Sequence, residues 1–394
     1  MTGRGRGIGT LAVHGGEPAV RGSRTITEPL VLSSTFPFED TAELEAFMRG
    51  EIERPHEYGR YGNPTVAALE AKVAALEGME AARAFASGMA AVTTTLLGFL
   101  RPGQHAVFTA DVYRKTRLFA VGFLSRYGVD VDLVEPTAEA VEDALRDETR
   151  LVFTELPTNP YLRVPDLPRI VEVAHGRRAK VVLDATFATP VNLRAVDHGV
   201  DLVVHSTTKY LAGHNDVLGG VVCGKRGVVE AIGELQGTLG AIVDPHAAYL
   251  TLRGIKTLEL RVRRQNETAL ALARLLDAHP AIARVHYPML DGHPDHAVAT
   301  RLLAGGGGVV SFEFEGGLRA ATRFVDALEI PKLAPSLGGV ESLVEQPPLM
   351  SFFDLGPEGR AALGISEGLV RYAVGIEDTE DLLDDVRCAL DRLG

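Results

Sequence analysis

Short apolar runs alternating with amphipathic stretches dominate the middle of the chain. Residues 150–155, 180–184 and 201–204 are apolar on both faces, a pattern typical of strands in a sheet that is covered on both sides. Between the first two runs, residues 166–178 carry apolar side chains at helical spacing. Strand, helix and strand in this order form the unit of a parallel sheet. Further strands are predicted over 106–108 and 129–134, and further helices over 67–77 and 89–100.

The last third of the chain has a different pattern. Residues 308–315 alternate between apolar and polar side chains, which predicts a strand with one face in water. A second strand is predicted over 369–374, and helices over 258–277, 320–328 and 381–393. This mixture predicts a smaller α+β domain with an antiparallel sheet. The predicted organisation is an N-terminal arm over 1–66, a large α/β domain over 67–255 and a small domain over 256–394.

Composition narrows the class of protein. The 394 residues are 46% hydrophobic, and the formal net charge of −12 disfavours nucleic acid and anionic membranes as partners. No apolar run is long enough to cross a bilayer, and two cysteines cannot form a disulfide framework. We therefore expect a cytoplasmic protein that acts on small molecules. His286, His293 and His296 lack the helical spacing that would bring two ligands together, so no metal site is expected.

Polar residues follow each predicted parallel strand, where the sheets of α/β proteins bind ligands. The residues at these strand ends are Glu155, Asn159 and Tyr161, then Asp184 and Thr186, then Ser206, Thr208 and Lys209. Ser87 and Gly88 precede the helix predicted over 89–100. Each residue alone has an ordinary explanation, since a lysine after a strand is usually on the surface and an aspartate or serine often caps a helix. Their convergence at one sheet edge favours a binding site.

These side chains suit an aldehyde cofactor that carries a phosphate on a pyridine ring. An amine such as Lys209 forms a Schiff base with an aldehyde, and an aspartate such as Asp184 keeps a pyridine nitrogen protonated. Free amides at a helix N-terminus bind phosphate, and Gly88 lets the backbone approach closely. Ser206 and Thr208 add hydroxyl donors, and Asn159 could hold a hydroxyl group of the ring.

Several motifs resemble one known family. The matching segments are 58–65, 155–160, 184–190, 206–210, 213–217, 334–342 and 371–378. In this order they resemble the pyridoxal-phosphate-dependent enzymes of Cys/Met metabolism, a family of cystathionine synthases and lyases, methionine lyases and homoserine sulfhydrylases. The resemblance covers nearly the whole chain. It implies an α/β fold of the fold-type I transferase class, with a mostly parallel seven-stranded sheet in the large domain.

The resemblance also implies roles for individual residues. Lys209 would bind pyridoxal 5′-phosphate covalently and carry protons, and Tyr113 would stack on the ring and assist proton transfer. The remaining cofactor-binding positions would be Ser87, Gly88, Met89, Asn159, Asp184, Thr186, Ser206 and Thr208, with Tyr58 and Arg60 reaching the phosphate of a neighbouring subunit. Arg371, Ser336 and Asn159 would bind the substrate α-carboxylate. The family is usually a homotetramer of dimers that share active sites.

One stretch indicates the kind of substrate. Tyr113-Arg-Lys-Thr-Arg117 resembles the plant-type cystathionine γ-synthases, whose substrate is O-phosphohomoserine. Arg114 or Lys115 would neutralise the leaving phosphate, and Lys115 is favoured. Both cations could instead be structural. The substrate could also be an O-succinyl or O-acetyl ester, the nucleophile could differ from cysteine, or the reaction could be γ- or β-elimination.

Two rival classes are weaker. A cofactor-binding protein without turnover would have no need for Lys209, Tyr113, Asp184 and Arg371 together. An aminotransferase would need a second half-reaction, and the motifs match the γ-enzymes better.

Overall fold

Two β-sheets covered by helices form the framework of the protein. The computed structural model describes residues 6–18, 24–54 and 56–393. The strands are β1 (Ala81–Phe85), β2 (His105–Thr109), β3 (Asp130–Val134), β4 (Thr149–Glu155), β5 (Lys180–Asp184), β6 (Leu202–His205), β7 (Gly220–Gly224), β8 (Ile282–His286), β9 (Val309–Phe314), β10 (Lys332–Leu333), β11 (Leu343–Glu345) and β12 (Leu369–Ala373).

The helices alternate with the strands of the first sheet and then flank the second. They are α1 (Ile8–His14), α2 (Thr41–Met48), α3 (Pro64–Glu77), α4 (Gly88–Phe99), α5 (Arg114–Leu118), α6 (Ala138–Ala144), α7 (Leu167–Gly176), α8 (Thr189–Asn192), α9 (Arg226–Leu239), α10 (Pro245–Ile255), α11 (Leu258–Asp277), α12 (His296–Leu302), α13 (Gly317–Ala327), α14 (Gly356–Ala362) and α15 (Thr379–Asp391). None of the helices in the described ranges is both long enough and apolar enough to cross a membrane.

The first sheet has seven strands in the order β1-β7-β6-β5-β4-β2-β3. All neighbouring pairs from β6 to β3 are parallel, while β7 runs antiparallel to both β1 and β6. This confirms the mostly parallel seven-stranded sheet expected from the sequence. The parallel strands place the carboxyl ends of β4, β5 and β6 side by side at one edge.

Both faces of this sheet are buried, which explains the uninterrupted apolar runs. In β5, Val181 and Leu183 belong to the larger core, which also contains residues of α3, α7 and α10. Val182 points to the opposite face and joins a second core with Ala91 of α4 and Ile232 of α9. Alternate residues of one strand thus fill two different cores, so neither face of the strand can be polar.

The second sheet has five strands in the order β10-β11-β12-β9-β8. Its central pairs are antiparallel, as predicted, but the edge pair β10–β11 is parallel. The connection from β10 to β11 leaves the sheet to contribute Ser336 to the site described below. The connection returns to the start of β10, where Leu343 lies opposite Lys332, so the two short strands run in the same direction.

Most predicted elements are present with boundaries shifted by one to three residues. The prediction over 258–277 agrees with α11 at both ends, whereas 67–77 and 320–328 each begin three residues late. Among the elements that were not predicted are β1, β8, α9 and α10. The three-part division at residues 66 and 255 stays a prediction, and residues 1–5, 19–23, 55 and 394 lie outside the described part of the chain.

A buried arginine joins the two parts of the structure. Arg261 on α11 is 4% exposed, and it donates hydrogen bonds of 2.8 Å to the carbonyl oxygens of Tyr210 and Gly254. Tyr210 follows Lys209 in the segment after β6, and Gly254 lies in α10. Gly213 closes this segment at φ +72°, and a Cβ there would lie 2.0 Å from Arg261 Nη1. The guanidinium therefore fixes the segment that carries Lys209.

We expect Arg261→Met to destabilise the protein by about 3 kcal/mol, because two buried carbonyl oxygens lose their donors. Urea denaturation would measure the change. Arg263→Met is the matched control on the same helix, since Arg263 is exposed and, among the described residues, its one ion pair is with Glu259 one turn away. A loss for Arg261→Met no larger than the loss for the control would contradict this role.

Candidate active site

Lys209 lies in a buried turn between β6 and β7. Its backbone N–H donates to Ser206 O at 3.2 Å, and its carbonyl accepts from Gly213 N at 2.8 Å. The side-chain Nζ donates to Ser336 Oγ at 2.8 Å. Burial, with a further contribution from the Arg371 guanidinium, lowers the pKa of Lys209 to about 8, against the opposite effect of Glu345. A larger fraction of the amine is therefore neutral and nucleophilic at neutral pH than in an exposed lysine.

Asp184 ends β5, next to the Lys209 segment. Asp184 Oδ1 accepts two hydrogen bonds from Thr186, at 3.0 Å from the backbone N–H and at 2.6 Å from the hydroxyl. Thr186 Oγ1 in turn accepts from the N–H of Ser206 at 2.9 Å. Burial raises the pKa of Asp184, while the bonds from Thr186 oppose that rise. Both bonds converge on one oxygen, and a cationic N–H at the other oxygen would supply the opposite charge that a buried carboxylate needs.

The N-terminus of α4 faces the same edge of the sheet. Ser87 caps the helix by accepting from Ala90 N at 3.1 Å. The N–H groups of Gly88 and Met89 lie in the first turn and have no acceptor within the helix, so they can bind an anion. A Cβ at Gly88 would lie 2.8 Å from Ser206 Cβ. Glycine is thus required for this close approach, which brings the helix N-terminus against the segment of Ser206.

Thr208 completes this group of hydroxyls. Its Oγ1 accepts from Gly219 N at 3.0 Å and lies 3.3 Å from Gly219 O, which places it where β7 begins. Helix amides and the hydroxyls of Ser87, Ser206 and Thr208 are the donors that a phosphate requires.

Tyr113 precedes α5 and is held by its backbone. Its N–H donates to Glu155 Oε2 at 2.6 Å, while its side chain is 43% exposed. Burial raises the pKa of Glu155 well above its usual value, and the nearby Asp184 carboxylate adds to that rise. Burial also raises the pKa of Tyr113 above its ordinary value, at which a phenol is already protonated at neutral pH. The strand end of β4 thereby positions a phenol that can donate a proton.

Arg371 on β12 is the centre of a second polar group. Arg371 Nη1 donates to Asn159 Oδ1 at 3.2 Å, and Nη2 donates to Ser336 O at 3.1 Å. Nη2 also lies 3.0 Å from Glu345 Oε1, with both side chains buried. Since Ser336 also binds Lys209, the amine and the guanidinium meet at one residue. A planar guanidinium in this position can bind a carboxylate.

Arg114 is already paired in the structure. Its Nη2 donates to both oxygens of Asp354, at 2.8 and 2.7 Å, and its Nη1 donates to Ser351 O at 2.7 Å. Lys115 is exposed and makes no ion pair with a described residue. Tyr113, Arg114 and Asn159 line a cleft of about 960 Å³ that extends towards β8 and β9. Asn159 connects this cleft to Arg371.

Tyr58 and Arg60 lie apart from these groups within one chain. Arg60 Nη1 donates to Gly237 O on α9 at 3.4 Å, and its guanidinium lies 5.5 Å from the Tyr58 ring centroid. The expectation that they serve a neighbouring subunit stays a prediction. The structure brings the other predicted residues together, apart from Lys115.

Three residues of the site were not assigned a role from the sequence. Glu345 lies directly opposite Arg371 in the pairing of β11 with β12, and Asp354 holds Arg114 from the other part of the chain. Glu155 was placed at a strand end but was not assigned to Tyr113. The apolar Leu343 and Val344 signal a buried strand, but the partner of Glu345 depends on strand register, which local sequence does not reveal.

The functional groups of the site match those of pyridoxal phosphate. The site offers a desolvated amine at Lys209, a buried carboxylate at Asp184 for a ring nitrogen, and a helix N-terminus whose glycine allows close approach. These residues fit an aldehyde, a pyridine ring and a phosphate. Asp184 ends β5, Lys209 follows β6, and Gly88 lies against Ser206, so these groups lie at the carboxyl ends of neighbouring strands.

Comparisons with known proteins agree with this fit. The chain is 48% identical over 389 residues to cystathionine gamma-synthase 1, chloroplastic, of Arabidopsis thaliana, with 98% of this chain and 69% of that protein covered. It is 40% identical to L-methionine gamma-lyase of Pseudomonas putida, with 98% and 97% covered. The crystal structure of cystathionine gamma synthase from Xanthomonas oryzae pv. oryzae in complex with cystathionine superposes with a TM-score of 0.93, at 38% identity and 99% coverage of both chains.

The family model for Cys/Met metabolism PLP-dependent enzymes matches residues 9–391. This match spans both sheets and every residue of the site described above. The protein therefore belongs to the Cys/Met metabolism PLP-dependent enzymes and uses pyridoxal phosphate as its cofactor.

Proposed function

We propose that the protein catalyses γ-replacement on an O-activated homoserine, with O-phosphohomoserine as the ester and cysteine as the nucleophile, giving cystathionine. The observation that carries this proposal is the junction at Ser336, which binds the amine of Lys209 and the guanidinium of Arg371. It sets a proton-carrying amine beside a group that holds a carboxylate, as an α-amino acid substrate requires. The names of the Arabidopsis and Xanthomonas relatives support the same reaction.

Substrate orientation comes from Arg371 and Asn159. The guanidinium would bind the α-carboxylate, and the Asn159 amide, which already contacts Arg371, would support it. The amino group and Cα of the substrate then lie towards Lys209. When the α-carboxylate and the amino group are both held, the Cα proton is fixed near the lysine amine.

The cofactor supplies the sink for the electrons of the Cα–H bond. Lys209 accepts the proton from Cα, for which a depressed pKa is suitable because the free amine must be neutral. A base of the site takes a second proton from Cβ, so that the γ-substituent can leave with its bonding electron pair. Cysteine thiolate then adds at Cγ, and the two protons return to Cβ and Cα. Tyr113, whose phenol is protonated at neutral pH, would donate and recover protons in these steps.

The leaving group would meet a cation near Tyr113. Arg114 is neutralised by Asp354, whereas Lys115 is exposed and has no such partner among the described residues. This difference supports Lys115, rather than Arg114, as the group that stabilises the phosphate. A phosphate ester carries close to two negative charges near neutral pH, so an unpaired cation favours it over an uncharged acetyl ester.

A γ-lyase is the second candidate. The relative from Pseudomonas putida is an L-methionine gamma-lyase, and it covers the chain as fully as the synthases do. A lyase would use the same residues for the Cα and Cβ protons and would release a 2-oxoacid and ammonia. O-succinyl or O-acetyl esters and other nucleophiles are the further alternatives within γ-replacement.

The assembly and location of the protein belong to the same proposal. Tyr58 and Arg60 would reach the cofactor phosphate of a neighbouring subunit, in a homotetramer built from two dimers. The exposed side chain of Tyr58 supports this role. We keep a cytoplasmic location as our prediction, although the Arabidopsis relative is named as chloroplastic.

The rate of cofactor attachment should depend on the fraction of Lys209 that is unprotonated. With a pKa of about 8, the neutral fraction of the amine is about a tenth at pH 7 and rises with pH. We expect the rate at which the cofactor-free protein gains its visible absorption band to increase about tenfold from pH 7 to pH 9 and then level off. Stopped-flow absorbance would measure it.

The control for this experiment is Lys209→Ala, which should bind the cofactor without the band. Borohydride reduction followed by peptide mass spectrometry should find the cofactor on Lys209 in the unaltered protein. A band retained at the same wavelength in Lys209→Ala would overturn the assignment, and a rate that keeps rising to pH 10.5 would contradict the lowered pKa.

A matrix of substrates tests the reaction. O-phospho-, O-succinyl- and O-acetylhomoserine would each be supplied with and without cysteine, and products followed by mass spectrometry. We expect cystathionine from the phospho-ester. Lys115→Ala should raise the KM for that ester about tenfold, because a charge-assisted contact is lost, and should leave the KM for the acetyl ester nearly unchanged.

Lys225→Ala, at an exposed lysine before α9, is the matched control and should behave as the unaltered protein. Cystathionine from the acyl esters alone would remove the phosphate claim. Release of 2-oxobutyrate as the main product without a thiol would select the lyase instead.

A further inference from the structure

Glu345 places a carboxylate against the guanidinium that would bind substrate. It is the last residue of β11 and lies directly opposite Arg371 in the antiparallel pairing with β12. Glu345 Oε1 and Arg371 Nη2 are 3.0 Å apart, and the two side chains are 3% and 6% exposed. The negative charge of Glu345 therefore lies next to the guanidinium that would bind the substrate carboxylate.

This ion pair leaves hydrogen-bonding capacity unused. Among the described residues, Glu345 Oε1 and Arg371 Nε are both buried without a hydrogen-bond partner. A purely structural Arg–Glu pair would align two parallel N–H···O bonds. Here the charges are close but the bonding geometry is poor, so the guanidinium keeps a donor for a second carboxylate.

The charged and titratable groups around Glu345 come from three elements. Arg371 faces it from β12, Lys209 from the segment after β6, and Tyr113 from the start of α5. Burial raises the pKa of Glu345, and the two cations only partly oppose that rise. A second carboxylate at Arg371 would lie close to this first one and would raise its proton affinity further.

We propose that Glu345 is a positioning residue that neutralises Arg371 while no substrate is bound and then weakens the binding of the substrate carboxylate by like-charge repulsion. The inference rests on the proposed role of Arg371. With Glu345 in place, Arg371 is not an isolated buried cation between turnovers. The repulsion between the two carboxylates also lets the product leave readily. Binding of a carboxylate is accompanied by proton uptake at Glu345.

Calorimetry with propionate on the cofactor-loaded protein tests the proposal. Propionate has a carboxylate but neither an amine nor a γ-substituent, so its binding does not depend on which ester is the substrate. We expect Glu345→Gln to bind propionate about five- to tenfold more tightly, since the repulsion is removed while the side-chain shape is kept. An unchanged or weaker affinity would overturn the proposal, because a merely structural glutamate would give one of those results.

Two further variants serve as controls. Glu341→Gln alters a glutamate of the same segment that accepts from Asn215 Nδ2 at 2.7 Å, and it should leave the propionate affinity unchanged. Glu345→Asp keeps the charge and should stay within about twofold of the unaltered protein. Tighter binding in all three variants would show a general loosening of the segment and would contradict the specific role of charge.

Proton uptake provides a measurement that needs no variant. Titrations of the unaltered protein with propionate at pH 7, in two buffers with different ionisation enthalpies, should show protons taken up on binding. The uptake should be lost in Glu345→Gln. If that variant does not fold, absence of uptake in the unaltered protein is sufficient to reject the proposal. Cystathionine formation is not measured in any of these arms, so failure of the proposed reaction and failure of this inference are separable.

Discussion

The contact of Ser336 with both Lys209 and Arg371 is the interaction on which the site depends. The hydroxyl accepts from the Lys209 amine and the carbonyl accepts from the Arg371 guanidinium, so one residue sets the distance between these two groups. Ser336 has a φ of 98°, which is costly for a residue with a Cβ. Hydrogen bonds from Lys209 to its hydroxyl and from Arg371 to its carbonyl help to keep this backbone conformation. Strain of this kind is typical of residues that position functional groups.

The sheet architecture explains why buried charges collect at this point. Apolar strands covered on both faces leave only their carboxyl ends for polar side chains, and Glu155 and Asp184 lie at two such neighbouring ends. Desolvation raises the pKa of both carboxyl groups and lowers the pKa of the Lys209 amine. The shift at Lys209 favours the neutral amine that an aldehyde requires. The shifts at the two carboxyl groups reflect buried acceptors that need a donor, which is the Tyr113 N–H for Glu155 and the two donors of Thr186 for Asp184. The same burial that stabilises the fold therefore prepares the chemistry.

Sequence alone was sufficient for the parts of the fold that depend on local pattern. The ends of β4, β5 and β6 follow from apolar runs, and these ends placed Glu155, Asp184 and Lys209 correctly at one edge. β1, with its small residues Ala81-Ala-Arg-Ala-Phe85, gives a weak pattern, and its pairing with the reversed strand β7 is a long-range property. Glu345 was missed for the same reason, since only the register of β11 against β12 shows that it faces Arg371.

Arg114 shows how a distant contact changes the meaning of a local motif. Two adjacent cations beside Tyr113 predict an anion, and for Arg114 that anion is Asp354, 240 residues further along the chain. Asp354 is largely exposed, so the pair is screened by water and stabilises the protein little. The pair nevertheless neutralises Arg114, which makes this cation less able to bind another anion. In the proposed orientation of the substrate, Lys115 would set the field near the γ-substituent, and Arg371 and Glu345 together would set the field near the α-carboxylate. Asp354 and Glu345 would then limit the positive charge at both ends of that substrate, which would favour selectivity and release over tight binding.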